Sequence, residues 1–145
     1  TMMALQFVSR GIPLIYNGQE AGNTKRLEFF EKDTINWQES WVEDHIKRLI
    51  QLKTDNRALW NGAAGGMTIP VSTNNPSQIL SFAREKEGNR VVALFNLTDR
   101  DAAFTLTDGP VKGAYTDFGM GGTVYLDLGT SLTLEPWGYH ILTHE

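Results

Sequence analysis

Hydrophobic positions along the chain follow two different periods, and the switch falls near residue 62. Before it, the spacing suits two helices and one buried strand. Met3, Ala4, Phe7 and Val8 recur at helical spacing, with Thr1 placed to cap the helix and Gly11 to stop it. Pro13 follows, a residue that a helix interior does not tolerate. Ile12 to Tyr16 then reads as a strand apolar on both faces, the kind a parallel sheet buries. Asn17 to Gln38 is long, charged and aperiodic, a loop with one short turn, and loops of that length in compact proteins are usually functional. The Phe29-Phe30 pair within it is expected to fold back over apolar neighbours. Ser40-x-x-Glu43 opens the second helix as a capping box. Val42, Ile46, Leu49, Ile50 and the stem of Lys53 share one face of it. Glu43 precedes Lys47 and Asp44 precedes Arg48 by one helical turn, pairs worth about 0.2–0.5 kcal/mol each.

Beyond Gly62-Ala63-Ala64-Gly65-Gly66 the period becomes two. Short strands are predicted over 67–71, 78–84, 90–96, 103–107, 114–118, 124–128, 132–134 and 139–143. Turn clusters such as Asn74-Asn75-Pro76, Glu87-Gly88-Asn89 and Asp108-Gly109-Pro110 separate them. Strands at this spacing indicate an antiparallel β-sandwich with Greek-key-like connections. Val91 to Phe95 is nearly continuous apolar sequence and so a central strand. The boundary between the two parts is set at residues 62 and 63.

Composition narrows the class. Hydrophobic residues make up 41% of the 145 and charged residues 21%, as in a soluble globular protein. The net charge of −4, with no basic stripe, argues against a nucleic-acid partner. Without cysteine there is neither a disulfide framework nor a thiolate nucleophile. No apolar run approaches the ~20 residues that span a bilayer. Thr1 to Leu5 lacks the basic start and cleavage site of a signal peptide. Nothing in the sequence fixes a compartment.

Gly11-Ile12-Pro13-Leu14-Ile15-Tyr16-Asn17-Gly18-Gln19-Glu20 resembles the last barrel strand of the α-amylase family of glycoside hydrolases. There Gly-Ile-Pro-x-x-Tyr-x-Gly-x-Glu is a recognised block. Lys25-Arg26-Leu27 to Trp37 is similar to the loop that follows, and Leu134-Glu135-Pro136-Trp137-Gly138-Tyr139 to the family's final strand. The resemblance implies residues 1–62 as the helix–strand–helix end of a (β/α)₈ barrel and 63–145 as a C-terminal sandwich, so the fold is mainly β. It implies a longer enzyme that hydrolyses starch and maltooligosaccharides with retention, its catalytic acids on earlier strands. No catalytic residue and no metal ligand is then expected here. Calcium, where the family binds it, would be held by other parts, and no cofactor is expected in this segment. The partners implied are an α-glucan and the remaining barrel. An alternative is a non-catalytic carbohydrate-binding sandwich, or a non-enzymatic relative of the family.

The strand end implies a sugar-binding rim. Chemistry in such barrels sits at the C-terminal ends of strands, which selects Tyr16, Asn17 and Glu20. Tyr16 offers a ring face and a hydroxyl to a pyranose, or packs beneath the loop. Glu20 hydrogen-bonds sugar hydroxyls or pairs with a base. A retaining glycosidase needs two carboxyl groups about 5–5.5 Å apart, which one strand does not supply. Lys25, Arg26 and Asp33 border the subsites by resemblance, against the commoner reading of solvated loop charges. Gly18 and Gly22 are expected to serve positive φ or close approach. The tryptophans are expected at element junctions, mostly buried, and Asp117 and Asp127 facing solvent. Asn96-Leu97-Thr98 matches a glycosylation acceptor.

Overall fold

The structure, a computed structural model, describes residues 1–144. It holds helices α1 (Met2–Val8) and α2 (Trp41–Asp55), two 3₁₀ turns (Arg57–Leu59 and Gly62–Ala64) and nine strands. The strands are β1 (Met67–Pro70), β2 (Ser72–Thr73), β3 (Ile79–Lys86), β4 (Asn89–Asn96), β5 (Ala102–Asp108), β6 (Gly113–Asp117), β7 (Thr123–Leu126), β8 (Ser131–Leu134) and β9 (Tyr139–His144). A six-stranded sheet runs β1-β3-β4-β9-β6-β7 and a three-stranded sheet runs β2-β5-β8, each antiparallel throughout. The eight strands predicted beyond residue 66 all form, within a residue or two, and Ser72–Thr73 adds a short one with an irregular register.

The large sheet is the middle of three layers. On β4, Val91, Ala93 and Phe95 face the helices, while Val92 and Leu94 face the small sheet. This double burial is why Val91 to Phe95 shows no alternation, although the sheet is antiparallel. The helix side of the core joins Ala4, Phe7 and Val8 of α1 to Ile46, Leu49 and Leu52 of α2, with Phe82 and Ile141 beneath. The other side packs Ile79, Phe104, Leu106, Tyr115 and Leu142 between the sheets.

The Ser40 hydroxyl accepts from the Val42 amide at 3.2 Å, capping α2. Glu43 turns outward to Lys47 at 2.8 Å rather than back to the cap. The expected Asp44–Arg48 pair gives way to Asp44–Lys47 at 3.8 Å. Arg48 donates instead to the Phe118 carbonyl at 2.6 Å and lies over the Phe118 ring at 4.9 Å. Ile50, expected on the buried face, is exposed.

Arg84 is 1% exposed, on the helix-facing side of β3. Its Nε–H donates to the Gly66 carbonyl at 3.2 Å and Nη2 to Trp60 at 2.8 Å. Nη1 reaches the carbonyls of Val8, Ser9 and Leu59 at 3.1–3.3 Å. The end of α1, the first 3₁₀ turn and the entry to β1 thus share one guanidinium. Carbonyls at helix ends lack intrahelical partners, and a cation suits them. Burial, with Arg10 adding repulsion, lowers the Arg84 pKa. A guanidinium keeps its charge through such a shift.

Asp117 corrects the solvent-facing expectation. It is 2% exposed, its Oδ1 accepts from the Gly119 and Met120 amides at 2.7 and 2.8 Å, and Oδ2 lies 2.6 Å from His140 Nδ1. A turn needing two amide acceptors and a neighbouring histidine hold the carboxylate inside. Asp127 is half-buried, and Lys112 lies 3.3 Å away.

The strand expected over Ile12–Tyr16 is not formed. Among the described residues no strand runs beside it, so its amides and carbonyls have no ladder to join, and Ile12, Leu14 and Tyr16 are exposed.

Replacing Arg84 by Met leaves its buried carbonyls without a donor and is expected to lower unfolding stability by about 3 kcal/mol. Lys is expected to recover only part, because an ammonium cannot reproduce the fork. Urea unfolding of both variants measures this, and a loss below about 1 kcal/mol would contradict the role given to Arg84.

Candidate functional site

After Pro13 the backbone turns sharply. The Tyr16 carbonyl accepts from the Gln19 amide at 2.9 Å, the Gly18 carbonyl from Ala21 and Asn23, and the Gln19 carbonyl from Gly22. Gln19 Oε1 in turn accepts from the Tyr16 amide at 3.1 Å. Both glycines do what was expected of them. Gly18 has φ +88° and a Cβ there would lie 3.0 Å from Ile35 Cγ2. Gly22 has φ +69° and a Cβ would lie 2.9 Å from Ser40 Oγ. A side chain at Gly22 would push the turn off the start of α2, and one at Gly18 would press on Ile35.

This turn sets Glu20 beside a cleft of about 310 Å³ shared with Ala21, Trp37, Gln38, Glu39 and Glu43. The Glu20 Oε2 atom is buried and has no hydrogen-bond partner among the described residues. The cleft combines an indole with carboxylates and an amide, the groups that pack against and hydrogen-bond a sugar. Tyr16 and Asn17 are exposed and are not among the residues that line it. Trp37 stands out in the sequence only as an aromatic. Gln38, Glu39 and Glu43 carry no sequence signal, because only the fold of the loop onto α2 brings them to Glu20.

Lys25 and Asp33 meet across the loop, Nζ to Oδ1 at 2.5 Å. Asp33 also accepts from the Thr34 amide at 2.7 Å and the Glu28 amide at 3.0 Å. The Lys25 hydrogen bond first, then these amides, lower its pKa to about 2. Arg26 is exposed and forms no ion pair among the described residues. The structure therefore joins Lys25 to Asp33 and links Tyr16 to the Glu20 turn through Gln19. It does not gather all the candidates around one point.

Phe29 and Phe30 touch each other edge-on, ring centres 4.8 Å apart, but both stay exposed instead of folding back. The stretch between Lys25 and Trp37 forms no helix or strand. All four tryptophans are exposed rather than buried. Asn96 is fully buried. Its amide donates to the carbonyls of Arg100, Leu134 and Glu135, and its oxygen accepts from the Thr98 amide and hydroxyl. It braces the turn after β4 and is closed to glycosylation in the folded chain. Among the described residues no group of three His, Cys, Asp or Glu side chains is placed to hold a metal ion. No described helix is long and apolar enough to cross a membrane.

The Asp33 shift has a defined sign. A carboxyl whose folded pKa lies below its usual 3.8 stabilises the loop fully above that value, and the contribution fades as pH falls toward about 2. An NMR pH titration of the Glu28 amide is expected to show this low midpoint and to lose the step in Asp33→Asn. A midpoint near 3.8 would show that the pair does not form.

No family model matches the chain. An α-amylase 2 from Dictyoglomus thermophilum is 28% identical over 150 aligned residues, covering 94% of this chain and 24% of that protein. The maltogenic α-amylase AmyB of Thermotoga neapolitana has the same fold over 98% of this chain and 35% of its own, with TM-score 0.81 and 16% identity. AmyP, solved with maltose, matches with TM-score 0.72 and 14% identity over 97% of this chain and 33% of its own. A maltogenic amylase from S. marinus matches with TM-score 0.63 and 23% identity, over 98% and 18%. The chain thus spans about a quarter of the curated relative and about a third or less of these structures. The chain is therefore similar in sequence to an α-amylase and shares the fold of the matching part of maltogenic amylases.

Proposed function

We propose that these residues are the C-terminal part of a retaining glycoside hydrolase acting on α-linked glucans such as starch and maltooligosaccharides. Residues 1–62 would supply the last helix, strand and helix of its (β/α)₈ barrel, and 63–145 the sandwich that covers it. The observation that carries this reading is the Gly11–Glu20 block, followed by its loop and by a helix layer docked on a sandwich. A free Ile12–Tyr16 segment, apolar and without a ladder, is what a barrel strand looks like apart from its neighbours.

In that enzyme Tyr16 offers its ring to a pyranose, and Asn17 and Glu20 exchange hydrogen bonds with sugar hydroxyls. Lys25, bound to Asp33, steadies the loop at the rim, and Arg26 reaches outward as a donor. Retention requires a nucleophile and an acid/base carboxyl about 5–5.5 Å apart. We assign both to earlier barrel strands, so the segment shapes the site and supports it without breaking the bond.

The test compares two proteins. The longer natural protein containing this sequence is expected to release reducing ends from soluble starch with the α-anomer formed first. Residues 1–145 alone are expected to release none from starch or from a chromogenic maltoside. Turnover by the segment alone, or none by the longer protein, would overturn the proposal.

A further inference from the structure

The turn Asp108-Gly109-Pro110 leaves β5 beside the corner where the chain crosses from one sheet to the other. Pro70 ends β1 of the large sheet, Ser72 begins β2 of the small one, and buried Val71 joins them. Gly109 packs on this crossover. A Cβ added to it would lie 3.0 Å from the Pro70 carbonyl oxygen and 3.0 Å from Val71 Cα. Its φ of +115° is one that glycine adopts readily and other residues resist. Asp108 pairs with Ser72 across the strands and is exposed to water.

The Gly109 amide donates to Oδ1 of Asp108, the residue before it, at 2.8 Å. Asp33 and Asp127 make the same contact with the amides that follow them, Thr34 at 2.7 Å and Leu128 at 2.8 Å. Each of those two also has a lysine on its carboxylate, Lys25 on Asp33 and Lys112 on Asp127. Asp108 forms no ion pair among the described residues. Of the three it alone is followed by glycine, so no Cβ crowds the nitrogen beside its carboxyl group. A backbone nitrogen held this close to a carboxyl carbon, and unhindered, is placed for ring closure.

We propose that Asp108 is a site of spontaneous isomerisation to isoaspartate, with water as the only co-reactant. From the acid form of the side chain, the Gly109 nitrogen bonds to Cγ. Its proton leaves with the carboxyl hydroxyl as water, and a cyclic imide remains. Water then adds to one of the two imide carbonyls. Breaking the bond from nitrogen to Cγ restores aspartate, and breaking the bond to the Asp108 main-chain carbonyl carbon gives isoaspartate. Nothing is oxidised or reduced. In the isomer the chain runs through Cβ and Cγ and is one methylene longer, with the α-carboxylate as a side group. The added length presses Gly109 onto Val71 and breaks the Ser72–Asp108 pairing, so the sheet crossover loosens as the protein ages. Every group involved belongs to the sandwich, and none is a sugar-rim candidate, so the site stands independently of the glucan reading.

The experiment ages the folded protein that contains this sequence for several weeks at mildly acidic pH. Its peptides are then mapped by electron-transfer fragmentation, which separates isoaspartyl from aspartyl linkages. Isoaspartate is expected to accumulate steadily at Asp108, at least about tenfold above Asp33 and Asp127, where a Cβ hinders the nitrogen. Asp108→Asn, which closes the same ring with loss of ammonia, should form it about tenfold faster again. Asp108→Glu, at the same exposed position, would have to close a larger ring and should leave the linkage unchanged. In the purified isoaspartyl form the Val71 amide, bonded to the Ser81 carbonyl, should exchange faster than in fresh protein, and Leu49 of α2 should not. No isoaspartate at Asp108, equal amounts at Asp33 or Asp127, Asp108→Asn no faster than the unaltered chain, or an unchanged Val71 rate in the isomer would overturn the proposal.

Discussion

One buried guanidinium sets the relation between the two parts of this chain. Arg84 belongs to the large sheet, yet its hydrogen bonds go to carbonyls of α1, of the turn after α2 and of the entry to β1. Apolar contact between helices and sheet holds them together without fixing register, because hydrophobic burial is non-directional. The fork adds direction. With five donors in a plane, it accepts one arrangement of surrounding carbonyls and penalises others by leaving buried groups unpaired. Lys53 repeats the pattern on the neighbouring carbonyls of Phe7 and Leu59. The helix layer is therefore seated on the sandwich, and the loop between α1 and α2 leaves from fixed ends.

That seating decides what the loop can do. Gly22 packs against Ser40, the residue that caps α2, so the Glu20 turn is referenced to the helix and through it to the sheet. The Lys25–Asp33 pair closes the outer part of the loop on itself. Between these two anchors the apolar side chains of Phe29 and Phe30 stay in water, as do Ile12, Leu14 and Tyr16 on the other side of the turn. Exposed apolar residues on this scale mark surface that expects a partner. The sandwich also exposes single apolar residues such as Met120 and Tyr125, but its core is closed between its own sheets.

Local rules were enough where a residue's role is settled by its immediate neighbours. Ser40 caps its helix, β4 reads as central because both its faces are apolar, and turn clusters divide the strands. Roles that depend on distant backbone were invisible. Arg84 looks like any charged residue at a strand end, and nothing nearby in sequence announces the carbonyls 18 to 76 positions away that hold it. Asp117 looked solvent-facing because its partner His140 lies on another strand. Arg48 was matched to Asp44 by spacing, but a carbonyl and a ring on the sandwich compete better. At the rim, the residue types of Tyr16, Glu20 and Asp33 were legible through the family block. Their grouping was not, since the cleft at Glu20 is completed by residues from the start of α2.

Both helices and the sandwich form one cooperative body, and the strand-like segment attached to it has no ladder of its own. Native-state hydrogen exchange on the monomer reads this directly. The amides of Ile46, Leu49 and Leu52 in α2 should exchange only with global unfolding, together with Val92 and Leu94 of β4, while Leu14, Ile15 and Tyr16 exchange near the unprotected rate. Strong protection of Leu14 to Tyr16 in a monomer, or release of α2 well before β4, would contradict it.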